Sequence, residues 1–339
     1  MKSLVWTKPE RMEIQGGPVP EIEQDEVLVK VDAVGICGSE LEGYMGHNSL
    51  RTPPLVMGHE FSGTIENPGS HAKQFPKGQR VTVNPLTSCG SCNLCRKGLV
   101  QLCRGRSIIG IHRPGAFADY VRVPVSSIHL IPDSISPLRA SLTEPLACSL
   151  RAVRRAMANH PFANVVVFGA GTIGLLSFFV AQILGASRIM VIDTNAARLK
   201  TAERRGAHGT VNPTQQDYIP KVKEAMGPSG IDVIIDAVGY QPTRQAAMEL
   251  INPGGTIMNV GLGIDQTQLP INVGIRSEIN ILGSFCYQPQ DFYDALQLLI
   301  SGKIDESEWS EIRSLREGNQ AFQELVNGRV EKAKIFLIP

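Results

Sequence analysis

Two textures of apolar and polar positions divide the chain. Up to about residue 145 the apolar residues come in short, alternating runs. EVLVKVDAVGI (26–36) alternates and is strongly β-branched, and FSGTIENPGS, GQRVTVNPL and GAFADYVRVP are strand-like pieces punctuated by Gly, Pro and Asn. This pattern predicts a partly open barrel rather than a layered sheet. From about 150 the texture changes. VVVFGAG (165–171) reads as a strand and turn, TIGLLSFFVAQILGA as a helix stopped by Gly185, and RIMVID (188–193) as a second strand. AARLKTAERRGA reads as a helix, GTVNP as a strand end, IDVIIDAVG (231–239) as a strand, the stretch from about Pro242 to Leu250 as a helix, and GGTIMNVGL (254–262) as a strand. Repeated β-α-β units imply a parallel doubly wound sheet. NILGSF (280–285), a helix in QDFYDALQLLISGKI and a closing strand in KAKIFLIP complete the pattern.

A chain of 339 residues exceeds the comfortable size of one core, so two domains are expected. Val165 to Leu184 is free of charge for twenty residues, long enough to suggest a membrane span. The three glycines inside it and the acidic strand end that follows point instead to a buried strand-turn-helix unit. The N-terminal stretch lacks the continuous apolar core of a signal peptide. A formal net charge of +1, without a run of like charge, leaves no electrostatic footprint for nucleic acid or an anionic membrane. The reading is a cytoplasmic protein.

Gly169-Ala-Gly171-Thr172-Ile173-Gly174 is G-x-G-x-x-G. It follows a strand, opens a helix, and is followed nineteen residues after Gly174 by Asp193 at the end of the next strand. Gly169 allows the tight turn, Gly171 lets the backbone approach a pyrophosphate, and Gly174 lets the helix pack close to the sheet. The helix N-terminus then faces the anion. Asp193 would accept hydrogen bonds from ribose hydroxyls and repel an added phosphate, so the expected cofactor is NAD. Arg198, five residues on, could meet that phosphate but reads more simply as a solvated helix arginine.

Four of the seven cysteines fall within fifteen residues: Cys89, Cys92, Cys95 and Cys103. Four thiolates satisfy a tetrahedral zinc ion and leave no position for water, which makes such a site structural. An iron–sulfur cluster is the main alternative; the absence of Pro after the last Cys and the short lobe favour zinc. The reactive site must then lie elsewhere. Cys37 in GICGSE (35–40), His59 and Glu60 in MGHEFSG (57–63) and Glu144 in LTEPLA (142–147) together supply the S, N and O ligands that a catalytic zinc keeps.

These motifs, in this order and over essentially the whole chain, resemble the zinc-dependent medium-chain dehydrogenases/reductases, the alcohol dehydrogenase superfamily. The closest likeness is to the polyol branch of sorbitol, galactitol-phosphate, threonine and butanediol dehydrogenases. The resemblance implies a two-domain α/β fold: a GroES-like β-barrel catalytic domain over 1–148 with a structural zinc lobe at 86–106, a Rossmann cofactor domain over 149–285, and a return to the catalytic domain over 286–339. It implies two zinc ions per chain, with Cys37, His59 and Glu144 holding the catalytic one and Glu60 an alternating ligand or a supporting group. Ser39 corresponds to the hydroxyl that takes the substrate's proton. Val238, Val260, Gly261, Leu262, Ser284 and Phe285 match stretches that line the nicotinamide pocket.

The implied activity is reversible NAD-linked oxidation of a secondary alcohol to a ketone, with a small polyol, sugar alcohol or sugar acid as substrate, in a homodimer or homotetramer. A primary-alcohol or aldehyde reductase of the same fold, or a non-catalytic dinucleotide-binding regulator, is the alternative. Tyr44, His47, Phe117 and Tyr287 are pocket residues by family position, although His47 reads more simply as a surface-loop histidine. Arg51, Arg113 and Arg276 could bind a phosphate or carboxylate but read more simply as ordinary surface arginines. Two departures stand out. Glu42 occupies a position where many members have a proton-relaying histidine. It reads either as a substitute relay or binder of substrate or ribose hydroxyls or as a solvated loop residue, with the polar role the expectation. Cys286 occupies a position where sorbitol-type enzymes have arginine.

Overall fold

The computed structural model of the chain describes residues 1–47, 50–215 and 217–339. They form two compact units, one comprising Met1–Glu144 with Gln288–Pro339 and the other Pro145–Tyr287.

The first unit is built on the strand Glu26–Gly35. It pairs antiparallel with Glu60–Asn67, with Tyr120–Pro124 and with the last strand, Lys334–Ile338. Arg80–Val83 and Ile128–Leu130 extend one side and Ser310–Ser314 the other, giving seven strands. A smaller sheet joins Arg11–Gly16, Lys2–Lys8 and Leu55–Val56. The alternating strand residues Val27, Val29 and Val31 turn inward with Trp6, Phe61, Phe117 and Phe322 to form one core, so the strand periodicity is what closes this barrel. Two registers matter for chemistry. Gly35 lies opposite Glu60 on one neighbouring strand and opposite Phe336 on the other, which brings Lys334 and Glu60 to either side of a residue with no side chain.

The second unit is a six-stranded, all-parallel sheet. Its order is Gly209–Val211, Arg188–Ile192, Asn164–Phe168, Val233–Asp236, Thr256–Asn259, Asn280–Gly283. Chain order reverses between Asn164–Phe168 and Val233–Asp236, the switch point at which such sheets hold ligands. The charge-free run is resolved into the strand Asn164–Phe168 and the helix Thr172–Ile183. No helix among the described residues is long and apolar enough to cross a membrane. The chain thus has the GroES-like plus Rossmann architecture. The helix Thr143–Met157 is not announced by the sequence pattern, because Pro145 reads as a break. It lies in the first turn, where a missing N–H costs nothing.

Candidate active site and metal centres

Between the short strands Leu86–Thr87 and Ser107–Ile108 the four clustered cysteines converge. Their sulfurs stand 3.5 to 3.9 Å apart around the cluster. Zn–S bonds of about 2.3 Å at tetrahedral angles place neighbouring sulfurs about 3.8 Å apart. The spacing therefore fits one four-coordinate ion, and all seven cysteines of the chain are free thiols. The backbone N–H groups of Ser91 and Cys92 pull the Cys89 thiol down to about 6, toward the thiolate that a metal needs.

A second cluster forms where the strand Glu26–Gly35 ends. Ligand atoms of Cys37, His59 and Glu60 lie within 4.8 Å of one another. Cys37 caps the helix Gly38–Tyr44, and Glu60 opens its strand directly after His59. Glu40 fixes the arrangement. Its buried carboxylate accepts from His59 Nδ1 at 2.8 Å, from the Gly58 N–H at 2.9 Å and from the Cys37 N–H at 3.0 Å. Holding Nδ1 leaves Nε2 as the metal-facing nitrogen, the usual arrangement for a carboxylate-backed histidine ligand. Burial pushes the Glu40 carboxyl up, but His59, Arg51 and the Cys37 N–H outweigh it and hold the group below its ordinary value. Burial likewise pushes His59 down, and the charges of Glu40 and Cys37 overcome this to hold its pKa well above the ordinary imidazole value. This pocket is built to attract a positive charge, as a divalent cation site must be.

Glu60 is not free for a metal as it stands. Lys334, itself buried, pairs with its carboxylate and donates to the Ile36 carbonyl at 2.9 Å. A Cβ on Gly35 would lie 2.4 Å from Lys334 Cε and 2.7 Å from Glu60 Oε2, so the glycine makes room for this ion pair. Glu144, in the first turn of Thr143–Met157, is buried in the same unit but is not part of the 4.8 Å group.

Ser39 Oγ donates to Cys37 Sγ at 3.4 Å. Glu42, one turn along the same helix, faces His47, with Oε2 3.6 Å from Nδ1. Tyr44 and Phe117, expected to line a pocket, pack in the barrel core instead. Tyr44 donates to the Glu10 carbonyl at 2.6 Å, and both rings lie against Phe322. Tyr287 is also buried. Among the arginines read as surface residues, Arg276 is exposed and Arg113 pairs with Glu26 at 2.5 Å. Arg51 departs from that expectation: it is 4% exposed, and its guanidinium donates to both oxygens of Ser39.

Sequence reasoning missed Glu40 and Lys334 as parts of this site, and weighed Arg51 only as an anion binder or surface residue, not as a partner of Ser39. Only Glu40 carried a signal, an acid three residues after Cys37 at a helix start, the spacing of a capping box.

In the second unit the glycine motif sits at the switch point. Gly169 has φ +92°, and a Cβ on Gly174 would fall 1.8 Å from the Gly169 carbonyl oxygen. A Cβ on Gly171 would meet nothing within 4 Å, so this glycine borders open space at the N-terminus of the helix Thr172–Ile183, where Thr172 and Ile173 form the first turn. Asp193 accepts from the Ala170 N–H at 2.5 Å and from the Asn195 N–H at 2.6 Å, tying the acidic residue to the glycine loop. Arg198 lies on the helix Ala196–Arg204, and burial pushes its pKa down while Asp193 opposes the shift. Val238 and Val260–Leu262 meet at the ends of neighbouring strands. The Val260 and Gly261 N–H groups both donate to the Asp236 carbonyl, and a Cβ on Gly261 would strike the Val238 backbone. Leu262 is 74% exposed, and Ser284 Oγ, beside the exposed edge, is buried without a partner among the described residues. Open space at Gly171 and an orphaned hydroxyl at Ser284 fit a dinucleotide.

Residues 23–133 match the alcohol dehydrogenase GroES-like domain family and residues 172–301 the zinc-binding dehydrogenase family. Sorbitol dehydrogenase of Bacillus subtilis is 33% identical over the whole of this chain and 97% of its own length. L-galactonate-5-dehydrogenase of Escherichia coli is 35% identical over 89% of this chain and 86% of its own. Among solved structures, galactitol-1-phosphate dehydrogenase of Escherichia coli superposes with TM-score 0.91 at 29% identity, covering all of both chains. A zinc-binding dehydrogenase of Sinorhizobium meliloti bound to NADP gives 0.91 at 31%, covering 100% of this chain and 99% of that one. The chain belongs to the zinc-dependent medium-chain dehydrogenases, the alcohol dehydrogenase superfamily. Within it the chain falls in the polyol branch, and it is an oxidoreductase that uses zinc and a nicotinamide cofactor.

Proposed function

We propose that the protein oxidises the secondary hydroxyl of a small polyol or sugar acid to a ketone with NAD. The observation that carries this reading is the convergence of Cys37, His59 and Glu60 beside the Ser39 hydroxyl. Cys37, His59 and Glu144 would hold the catalytic zinc, with Glu60 as the alternating carboxylate, because Lys334 already neutralises Glu60. Cys89, Cys92, Cys95 and Cys103 would hold the structural ion. When bound, zinc supplies Lewis acidity to the substrate hydroxyl and the nicotinamide accepts the hydride. Ser39 takes the hydroxyl proton. Glu42, one turn further on, with His47 facing it, is the way out to solvent, in place of the histidine common in the family. Gly171 and the helix N-terminus hold the pyrophosphate. Val238, Val260, Gly261, Leu262, Ser284 and Phe285 line the nicotinamide end.

Relatives of known structure carry either NADP or NADH, so the choice of NAD rests on Asp193. Its oxygens, held by two backbone N–H groups, would accept ribose hydroxyls and repel a 2′-phosphate. We further infer a homo-oligomer joined through the exposed edge strand Asn280–Gly283, and a reducing, cytoplasmic setting that keeps the thiolate ligands intact.

The test is a substrate panel of sorbitol, xylitol, L-galactonate and D-arabitol phosphate, followed by NADH absorbance, with NADP run in parallel. At least one secondary alcohol is expected to turn over, with kcat/KM higher for NAD. Cys37→Ser should abolish that turnover with NADH binding retained, and Glu42→Gln should lower kcat/KM about tenfold. A silent panel, or full activity in Cys37→Ser, ends this reading.

A further inference from the structure

Arg51 is the least expected member of the site. Its Nη1 donates to the Ser39 carbonyl at 3.0 Å and its Nη2 to Ser39 Oγ at 3.3 Å. The stem reaches there because position 43 is glycine: a Cβ on Gly43 would stand 2.6 Å from Arg51 Cδ. The side chain is buried, and its Nε has no partner among the described residues. No ion pair among them joins the guanidinium to a carboxylate; the buried Glu40 charge is close enough to interact with it but makes no direct contact. Burying an arginine in this way is costly, and packing alone would be better served by an apolar side chain.

We propose that Arg51 is the positioning residue for the Ser39 hydroxyl, resting on the reading of Ser39 as the proton acceptor. A serine hydroxyl has one proton to give and two lone pairs. Ser39 gives its proton toward Cys37 Sγ, Arg51 occupies one lone pair, and a single lone pair is left to receive the substrate's proton. The guanidinium fork is planar and donor-only. It locks the rotamer of a side chain that would otherwise sample three. It cannot take the proton itself. As Ser39 accepts the substrate's proton on the remaining lone pair, its own O–H therefore turns away from Cys37 Sγ and passes its proton to water and the Glu42 carboxylate, the exit proposed above.

The experiment is a double-mutant cycle on Arg51 and Ser39, read with whichever of sorbitol, xylitol, L-galactonate or D-arabitol phosphate turns over fastest. Melting temperature, zinc content and NADH affinity are measured on every variant. Arg51→Met is expected to lose about tenfold or more in kcat, with KM nearly unchanged and zinc, NADH binding and melting temperature retained. The Arg51→Met, Ser39→Ala double variant should be no slower than Ser39→Ala alone, because coupled residues do not add. Arg51→Lys keeps the charge but not the fork, and should lie between Arg51→Met and the parent; it also serves if the methionine variant does not fold. Losses that multiply in the double variant, a change in KM in place of kcat, full activity in Arg51→Lys, or activity that falls only in step with zinc or stability would each overturn the proposal. An unimpaired Ser39→Ala would instead remove Ser39 from the reaction, and Arg51 with it; a slow Ser39→Ala beside an unimpaired Arg51→Met rejects Arg51 alone.

Discussion

Gly35, Glu60 and Lys334 form a unit in which each residue makes sense only through the others. Glu60 and Lys334 are fully buried, 274 positions apart in the chain, and paired. Their closeness depends on a glycine whose Cβ would occupy the space of the lysine stem. A buried pair adds little net stability, but removing one partner strands the other charge at a cost of about 3–5 kcal/mol. Lys334→Met should therefore lower unfolding free energy in urea by about that amount. Adding Glu60→Gln should recover a substantial part of it, because the stranded charge is gone. A Lys334→Met variant within about 1 kcal/mol of the parent would show that the pair is not desolvated as drawn.

At the scale of elements, the legible features were those written locally. The cysteine spacing, the glycine loop with its acidic strand end, and the alternation in EVLVKVDAVGI each depend on residues a few positions apart, and each is found where the pattern puts it. What could not be read is what sheet register assembles. Lys334 is one cation entering an apolar final strand, and nothing near it names Glu60 as its partner. Arg51 stands in a stretch of sequence with no periodicity, so its burial against Ser39 has no local signature. Tyr44 and Phe117 went astray for the same reason: family position does not say which face of the barrel wall an aromatic ring takes, and here it is the inner one.

The cysteine lobe is the opposite case, an element whose order is entirely local. Between Ser88 and Ser107 only Gln101 and Cys103 are buried, so apolar packing cannot hold it and ligand bonds must. Cys95→Ser should release one zinc per chain and make peptide bonds near residues 88–106 newly sensitive to protease, while kcat per intact active site changes little. Loss of turnover with the lobe still protected would assign these thiols to the reaction.

At the scale of the whole molecule, the parallel sheet leaves one end unfinished. Asn280–Gly283 is an outermost strand, and its residues Asn-Ile-Leu-Gly carry neither a charge nor a proline to discourage pairing. Ile281 is 42% exposed. On the short helix Ile271–Arg276, which precedes it in the chain, Ile271, Val273 and Ile275 are 53%, 42% and 67% exposed. An edge of four residues offers too few backbone hydrogen bonds to hold two chains together. The exposed isoleucines and valine supply the apolar area that such an edge would need. A second copy related by a two-fold axis would lay the strand antiparallel on itself and bury the same side chains from both partners, a self-complementary contact. Sedimentation should then show a dimer or larger even-numbered species. Ile281→Lys, which puts two like charges across the axis, should shift it toward monomer, with Ile275→Glu acting in the same direction. The pyrophosphate and ribose contacts to NADH should survive, because the glycine loop and Asp193 lie at the switch point, with the strands Val233–Asp236 and Thr256–Asn259 between them and the edge. Only the nicotinamide end, at Ser284 and Phe285, follows the edge strand directly. A parent protein that sediments as a monomer at micromolar concentration, or an Ile281→Lys variant whose assembly is unchanged, would place the contact elsewhere.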